Sequence, residues 1–106
     1  MTTSMFQKKE YQKIFEQFSK QSVLVIGDVM LDRYWWGKVS RISPEAPVPI
    51  VQLEKTDSTA GGTANVAVNI AGLKAKPILL GIIGKDIEAN ELCKSLVKEN
   101  VSTDYL

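Results

Sequence analysis

Hydrophobic and polar positions follow two rhythms along this chain, and each predicts a different kind of element. Tyr11, Ile14, Phe15 and Phe18 recur at i, i+3, i+4 and i+7. That spacing predicts an amphipathic helix over residues 8–20, packed by its apolar stripe against the rest of the domain. Ser22-Val23-Leu24-Val25-Ile26 is a continuous apolar run closed by Gly27, as expected of a buried parallel strand. From Tyr34 to Thr59 the pattern turns aromatic and alternating, and Pro44, Pro47 and Pro49 interrupt it. Proline cannot lie in a central strand. The stretch therefore predicts two or three short edge strands around a stiff loop, a small lobe outside the main sheet.

Helical spacing returns at Val66, Ile70 and Leu73, with Gly72 as the expected terminator. Pro77 to Gly84 reads as a second buried strand, and Asp86 as the cap of a helix carrying Leu92, Leu96 and Val97. Val101 to Leu106 approaches a third strand. Strand, lobe, helix, strand, helix is a βαβ-type plan, which implies a parallel sheet and an α/β fold with a right-handed crossover.

The chemistry of interest gathers between these elements. Ala60-Gly61-Gly62-Thr63-Ala64-Asn65 reads as a tight glycine turn feeding a helix, with Thr63 as N-cap. Free N–H groups at a helix start and the two-way amide of Asn65 suit a hydroxyl-rich ligand. A turn that merely reverses the chain is the other reading. Asp28 and Asp32 follow the first strand, and ligands of open α/β sheets bind outside the carboxyl ends of strands. Either aspartate could equally serve the turn, and Asp28 leans that way. Trp35 and Trp36 either form an exposed lid or dimer contact or pack inside their own lobe.

Composition narrows the field. The 106 residues suit one domain, and 44% hydrophobic with 24% charged residues argues against disorder. A net charge of +1 offers no electrostatic case for nucleic acid. No apolar run approaches the ~20 residues of a membrane span, and Met1 to Glu10 lacks the apolar core of a signal peptide. The single cysteine, Cys93, fits a reducing cytoplasm and falls in a helical pattern that suggests a packed thiol. There is no histidine, which removes Ser-His-Asp and Cys-His catalysis.

Three stretches resemble the N-terminal part of the ribokinase-type (phosphofructokinase-B) sugar kinases, and within them the heptose 7-phosphate kinases. They are Val25 to Trp35, Ser40-Arg41-Ile42-Ser43-Pro44-Glu45-Ala46-Pro47-Val48-Pro49, and Gly61-Gly62-Thr63-Ala64-Asn65-Val66-Ala67. The paired glycines mark the superfamily, and the stretch around Arg41 is more particular to heptose kinases. The resemblance implies a ribokinase-like α/β fold with residues 34–59 as a β lid that pairs subunits into homodimers. It implies that Asp32 accepts hydrogen bonds from sugar hydroxyls, that Gly61 and Gly62 bring backbone N–H groups to the sugar, and that Asn65 bonds another hydroxyl. Arg33, Lys38 and Arg41 lie near that lid, and an arginine suits the substrate's 7-phosphate; for Lys38 a solvated surface role is at least as strong.

The family's catalytic aspartate belongs to a later Gly-Ala-Gly-Asp motif. The seven glycines here, at 27, 37, 61, 62, 72, 81 and 84, do not form it. The resemblance thus implies ATP and Mg2+ for a full-length enzyme but no catalytic residue within this stretch, and an isolated chain that is inactive. A parallel sheet cut after two or three strands is also expected to be marginally stable or self-associating. The competing reading is a non-catalytic sugar-binding or dimerisation module. A dinucleotide-binding domain is disfavoured, because Gly27-Asp28-Val29-Met30 lacks the Gly-x-Gly-x-x-Gly fingerprint.

Overall fold

A computed structural model describes residues 7–106; of Met1 to Glu10, the stretch read as lacking a signal-peptide core, the first six residues lie outside them. Helix α1 (Lys8–Phe18) leads into strand β1 (Ser22–Ile26). Two long strands follow, β2 (Val29–Ile42) and β3 (Pro49–Gly62), then helix α2 (Thr63–Gly72), strand β4 (Lys76–Leu80) and helix α3 (Ile87–Lys98). β1 pairs in parallel with β4, from Ser22 opposite Lys76 to Ile26 opposite Leu80. The chain reaches β4 only after the β2–β3 hairpin and α2, so the expected parallel crossover is present. Tyr105 makes a parallel bridge to Leu80, a single-residue start on the third strand.

The core lies where α2 covers this sheet and α3 packs beneath the β2–β3 hairpin. Val25, Leu79, Ala64, Ala67, Leu92, Leu96 and Val101 form one buried cluster. α3 is anchored as expected: Asp86 Oδ1 accepts the Ala89 N–H at 2.8 Å, satisfying one orphan donor of the first turn.

Several expectations are corrected. The lobe is not a set of short strands but one antiparallel hairpin of two 14-residue strands. Pro44 and Pro47 are confined to the connecting loop, and Pro49 takes the first position of β3, where a missing N–H costs little. Gly61 and Gly62 form no turn: they are the last residues of β3, paired with Met30 and Val29, and the strand passes directly into α2. The N-cap of α2 is accordingly Gly62, not Thr63. Thr63 is the first helical residue, and both its N–H and its hydroxyl donate to the Asp28 carbonyl, at 2.9 and 2.8 Å.

The stripe of α2 is also different. Of the predicted stripe Ile70 packs against the core, but Val66 and Leu73 are exposed, while Ala64 and Ala67 are fully buried, with Val68 and Ala71 beside them. Small side chains let the helix approach the sheet closely, and the nearer face wins over the bulkier one. Lys74, not Gly72, takes the left-handed backbone beyond the helix, at φ 70°. The second strand stops at Leu80 rather than running to Gly84, and Ile82 stands almost fully exposed. α1 forms with its Glu10 carboxylate accepting the Gln7 N–H, but it buries no residue. Its Phe15 and Phe18 rings meet edge-to-face at 5.3 Å. An amphipathic stripe requires an opposing surface, and the described residues build only a two-stranded parallel sheet whose covered face is used by α2. No helix among the described residues is long and apolar enough to cross a membrane.

Candidate functional site

The site is built where β1 ends and the hairpin begins. After Ile26 the chain passes Gly27 and Asp28 and enters β2 at Val29, which pairs with the final residue of β3. The root of the hairpin is thereby fixed over the carboxyl end of the parallel sheet. A cleft opens at the same end, lined by Ile26, Gly27, Asp28, Leu80, Gly81 and Tyr105. This is where open α/β sheets hold their ligands.

Strand alternation then sorts the candidate residues. Met30, Asp32 and Tyr34 point to one face of the hairpin, and Val29, Leu31 and Arg33 to the other. Asp32 pairs with Thr59, which makes Gly61 its diagonal neighbour on the same face. The carboxylate lies directly over Gly61: a Cβ built there would sit 2.6 Å from Asp32 Cγ. A side chain at Gly61 would push that carboxylate, the free end of an exposed side chain, out of this position. Gly62 holds φ 57° and ψ −135°, and a Cβ on it would strike the Asp28 carbonyl oxygen. Asn65 is exposed in the first turn of α2 and lines a groove with Ser58, Thr59, Ala60, Ser95 and Lys98. The fold therefore brings Asp32, Gly61 and Gly62 together, whereas Asn65 opens on the groove toward α3 with Ser58 and Ala60, the cross-strand partners of Arg33 and Leu31 on the hairpin's other face.

The basic residues are placed elsewhere. Arg33 lies on the face opposite Asp32, where Nη2 is 2.9 Å from Glu91 Oε2 and Nη1 is 4.0 Å from Glu88 Oε1, both on α3. Lys38 Nζ meets Glu54 at 3.6 Å, an exposed pair of small energetic value. Arg41 pairs in register with Ile50 near the far end of the hairpin, roughly 30 Å along β2 from Asp32 at ordinary strand rise. Register shifts at Trp36/Gly37 and Val39/Arg41 lie between them, and such irregularities bend a strand. Trp35 and Trp36 are 71% and 57% exposed, so neither packs inside the lobe.

These features belong to a known architecture. Residues 20–106 match the pfkB family of carbohydrate kinases. The chain belongs to that family. Among curated proteins, this pfkB-family chain is 52% identical over 90 residues to the bifunctional protein HldE of Psychromonas ingrahamii, an alignment covering 85% of the chain and 19% of that protein. It is 53% identical over 89 residues to the HldE of Histophilus somni, covering 84% of the chain and 19% of the relative. The HldE of an Escherichia coli O1:K1 strain gives 52% over 90 residues, with the same 85% and 19% coverage. The chain thus spans about a fifth of the length of these relatives.

Among the described residues no three carboxylate or thiol groups converge as metal ligands.

Sequence reasoning passed over Glu91. Its carboxyl is held below the ordinary glutamate value of 4.5, first by the hydrogen bond with Ser58 and then by the Arg33 guanidinium, against partial burial that raises it. Arg33 and Ser58 are directly opposed on β2 and β3, so Glu91 reaches both strands at once. The only local sign was the i, i+3 spacing of Glu88 and Glu91 on α3. Because the folded value lies below the unfolded one, the stabilisation is complete above 4.5 and is lost as pH falls through the depressed value. Glu91→Gln should therefore flatten the pH dependence of stability below 4.5, measured by denaturant unfolding across that range. Parallel curves for the two proteins would show that Glu91 does not titrate with folding.

Proposed function

We propose that this chain is the sugar-binding, N-terminal portion of an ATP-dependent kinase that phosphorylates D-glycero-β-D-manno-heptose 7-phosphate at its anomeric hydroxyl, a step toward ADP-heptose and the lipopolysaccharide core. The observation that carries the reading is the Asp32 carboxylate over the bare backbone of Gly61, beside the start of α2 and the carboxyl end of β1. An ionised carboxylate accepts two or more hydroxyl hydrogen bonds, and an exposed helix start donates. Together they suit a polyol. Membership of the pfkB family and the heptose-kinase-like stretch Ser40 to Pro49 support the substrate class.

In this reading Asp32 and Asn65 hold sugar hydroxyls, and Gly61 and Gly62 admit the sugar to the backbone. Arg33 is occupied by α3, so Arg41 is the better candidate for the 7-phosphate, brought toward the site by bending of the hairpin or by a second copy. Such a copy would pair through the exposed Trp35 and Trp36 region as a homodimer. ATP and Mg2+ are held by groups other than those described here, in a cytoplasmic enzyme.

The test is a coupled assay of ADP release by the full polypeptide encoded with this chain. Heptose 7-phosphate, fructose 6-phosphate and ribose would be compared as acceptors. Turnover with the heptose phosphate at least about tenfold above the others is expected, a margin of about 1.4 kcal/mol. Equal or absent turnover would reject the substrate. Arg41→Glu should raise KM for the heptose phosphate, and an unchanged KM would remove Arg41 from the phosphate site. The second reading, a non-catalytic binding or dimerisation module, draws on the exposed tryptophans. It would be favoured by heptose phosphate binding with no ADP release.

A further inference from the structure

Asp32 can act on a ligand only if the hairpin root is held at a fixed height above the parallel sheet. Two covalent links hold it, at Gly27–Asp28 and at Gly62–Thr63, together with the bonds from Thr63 to the Asp28 carbonyl. All of these lie at the very base of the hairpin. One polar contact ties it down further along. Arg33 Nη2 donates to Glu91 Oε2 at 2.9 Å, across 58 residues of chain. Glu88 stands 4.0 Å from the other guanidinium nitrogen.

We propose that the Arg33–Glu91 pair, with Ser58 and Glu88 beside it, is a latch that clamps the root of the β2–β3 hairpin to α3 and so positions Asp32 for the sugar. The geometry is that of a lever. Arg33 is the immediate chain neighbour of Asp32 and points to the opposite face, so fixing one side chain on α3 fixes the direction of the other. Ser58, the cross-strand partner of Arg33, lies beside the same carboxylate, so Glu91 faces both strands. Under the hairpin the contact continues as apolar packing, with Val29 and Leu31 against the buried cluster to which α3 contributes Leu92 and Leu96. That packing supplies adhesion without direction, because apolar contact is non-directional. The guanidinium–carboxylate pair supplies the orientation. Arg33 is thus a positioning residue, not a substrate ligand.

This inference rests on the sugar-kinase reading for the ligand, but its mechanical part is independent of it. The experiment compares wild type, Glu91→Gln, Arg33→Gln, the charge exchange Arg33→Glu/Glu91→Arg, and Asp32→Asn in the full polypeptide encoded with this chain. Amide hydrogen exchange is the first readout. Both single latch variants should speed exchange at least about threefold at residues 31–34 and 57–60, and leave β1 and β4 unchanged. Unchanged exchange at the hairpin root would overturn the latch, whatever the protein's substrate.

Steady-state kinetics is the second readout. Latch variants should raise KM for the sugar phosphate several-fold with KM for ATP unaltered, and the exchange variant should restore part of the loss. Wild-type KM in both single variants, with Asp32→Asn impaired, would overturn the latch and leave the kinase reading standing. No sugar-phosphate turnover in wild type would reject the kinase reading, and the exchange data alone would then decide the latch.

Discussion

Asp32→Asn is expected to weaken heptose 7-phosphate binding about 10- to 100-fold, with thermal unfolding displaced by no more than about 4 °C. The substitution keeps the size of the side chain and one acceptor oxygen but removes the charge. Hydrogen bonds to a charged acceptor contribute about 1.5–3 kcal/mol, which is the source of the binding estimate. Stability should barely change because the carboxylate is exposed on the open face of the hairpin and no ion pair with it is found among the described residues. It stands over the backbone of Gly61. Titration calorimetry with the heptose phosphate, paired with a thermal melt, separates the two effects. Wild-type affinity in the variant would remove Asp32 from the site and with it the central support for a sugar ligand.

The largest stability effect is expected at Gly62. Its φ of 57° with ψ of −135° belongs to a region that residues with a Cβ avoid, and a Cβ there would meet the Asp28 carbonyl oxygen. That oxygen already accepts two bonds from Thr63. Gly62→Ala must either move the start of α2 or break those bonds. Backbone strain of this kind costs about 1–3 kcal/mol, before the lost hydrogen bonds are added. A fall in melting temperature of about 12–24 °C follows for about 3 kcal/mol in a domain of this size.

Gly72→Ala is the control. It lies at the end of the same helix, and a Cβ there meets nothing within 4 Å. It should leave stability unchanged or raise it by up to about 1 kcal/mol. Equal effects of the two substitutions, read by circular dichroism, would show that the strand-to-helix junction is not strained. Gly61→Ala separates binding from folding differently: its Cβ would displace the exposed Asp32 carboxylate, so ligand affinity should fall with little change in stability.

The chain's periodicity alone determined the local elements. β1, β4, α2 and α3 stand at or near their predicted positions, and Asp86 caps α3, because each depends on residues within a few positions of one another. Asp32, Gly61, Gly62 and Asn65 were also singled out from the sequence, since a strand end and a glycine-led helix start are local patterns. Tertiary structure decided the rest. Alternation in residues 34–59 could not tell short strands from one long hairpin, because register depends on which partner residues face each other. Both Val66 and Ala67 fit helical spacing, and the closeness of the sheet selected the alanines. The stripe of α1 specified a surface to be covered without specifying what covers it. Arg33 reads the same in sequence whether it meets a phosphate or Glu91. Only the fold brings α3 beneath the hairpin, and an ion pair spanning 58 residues leaves no periodic trace along the chain.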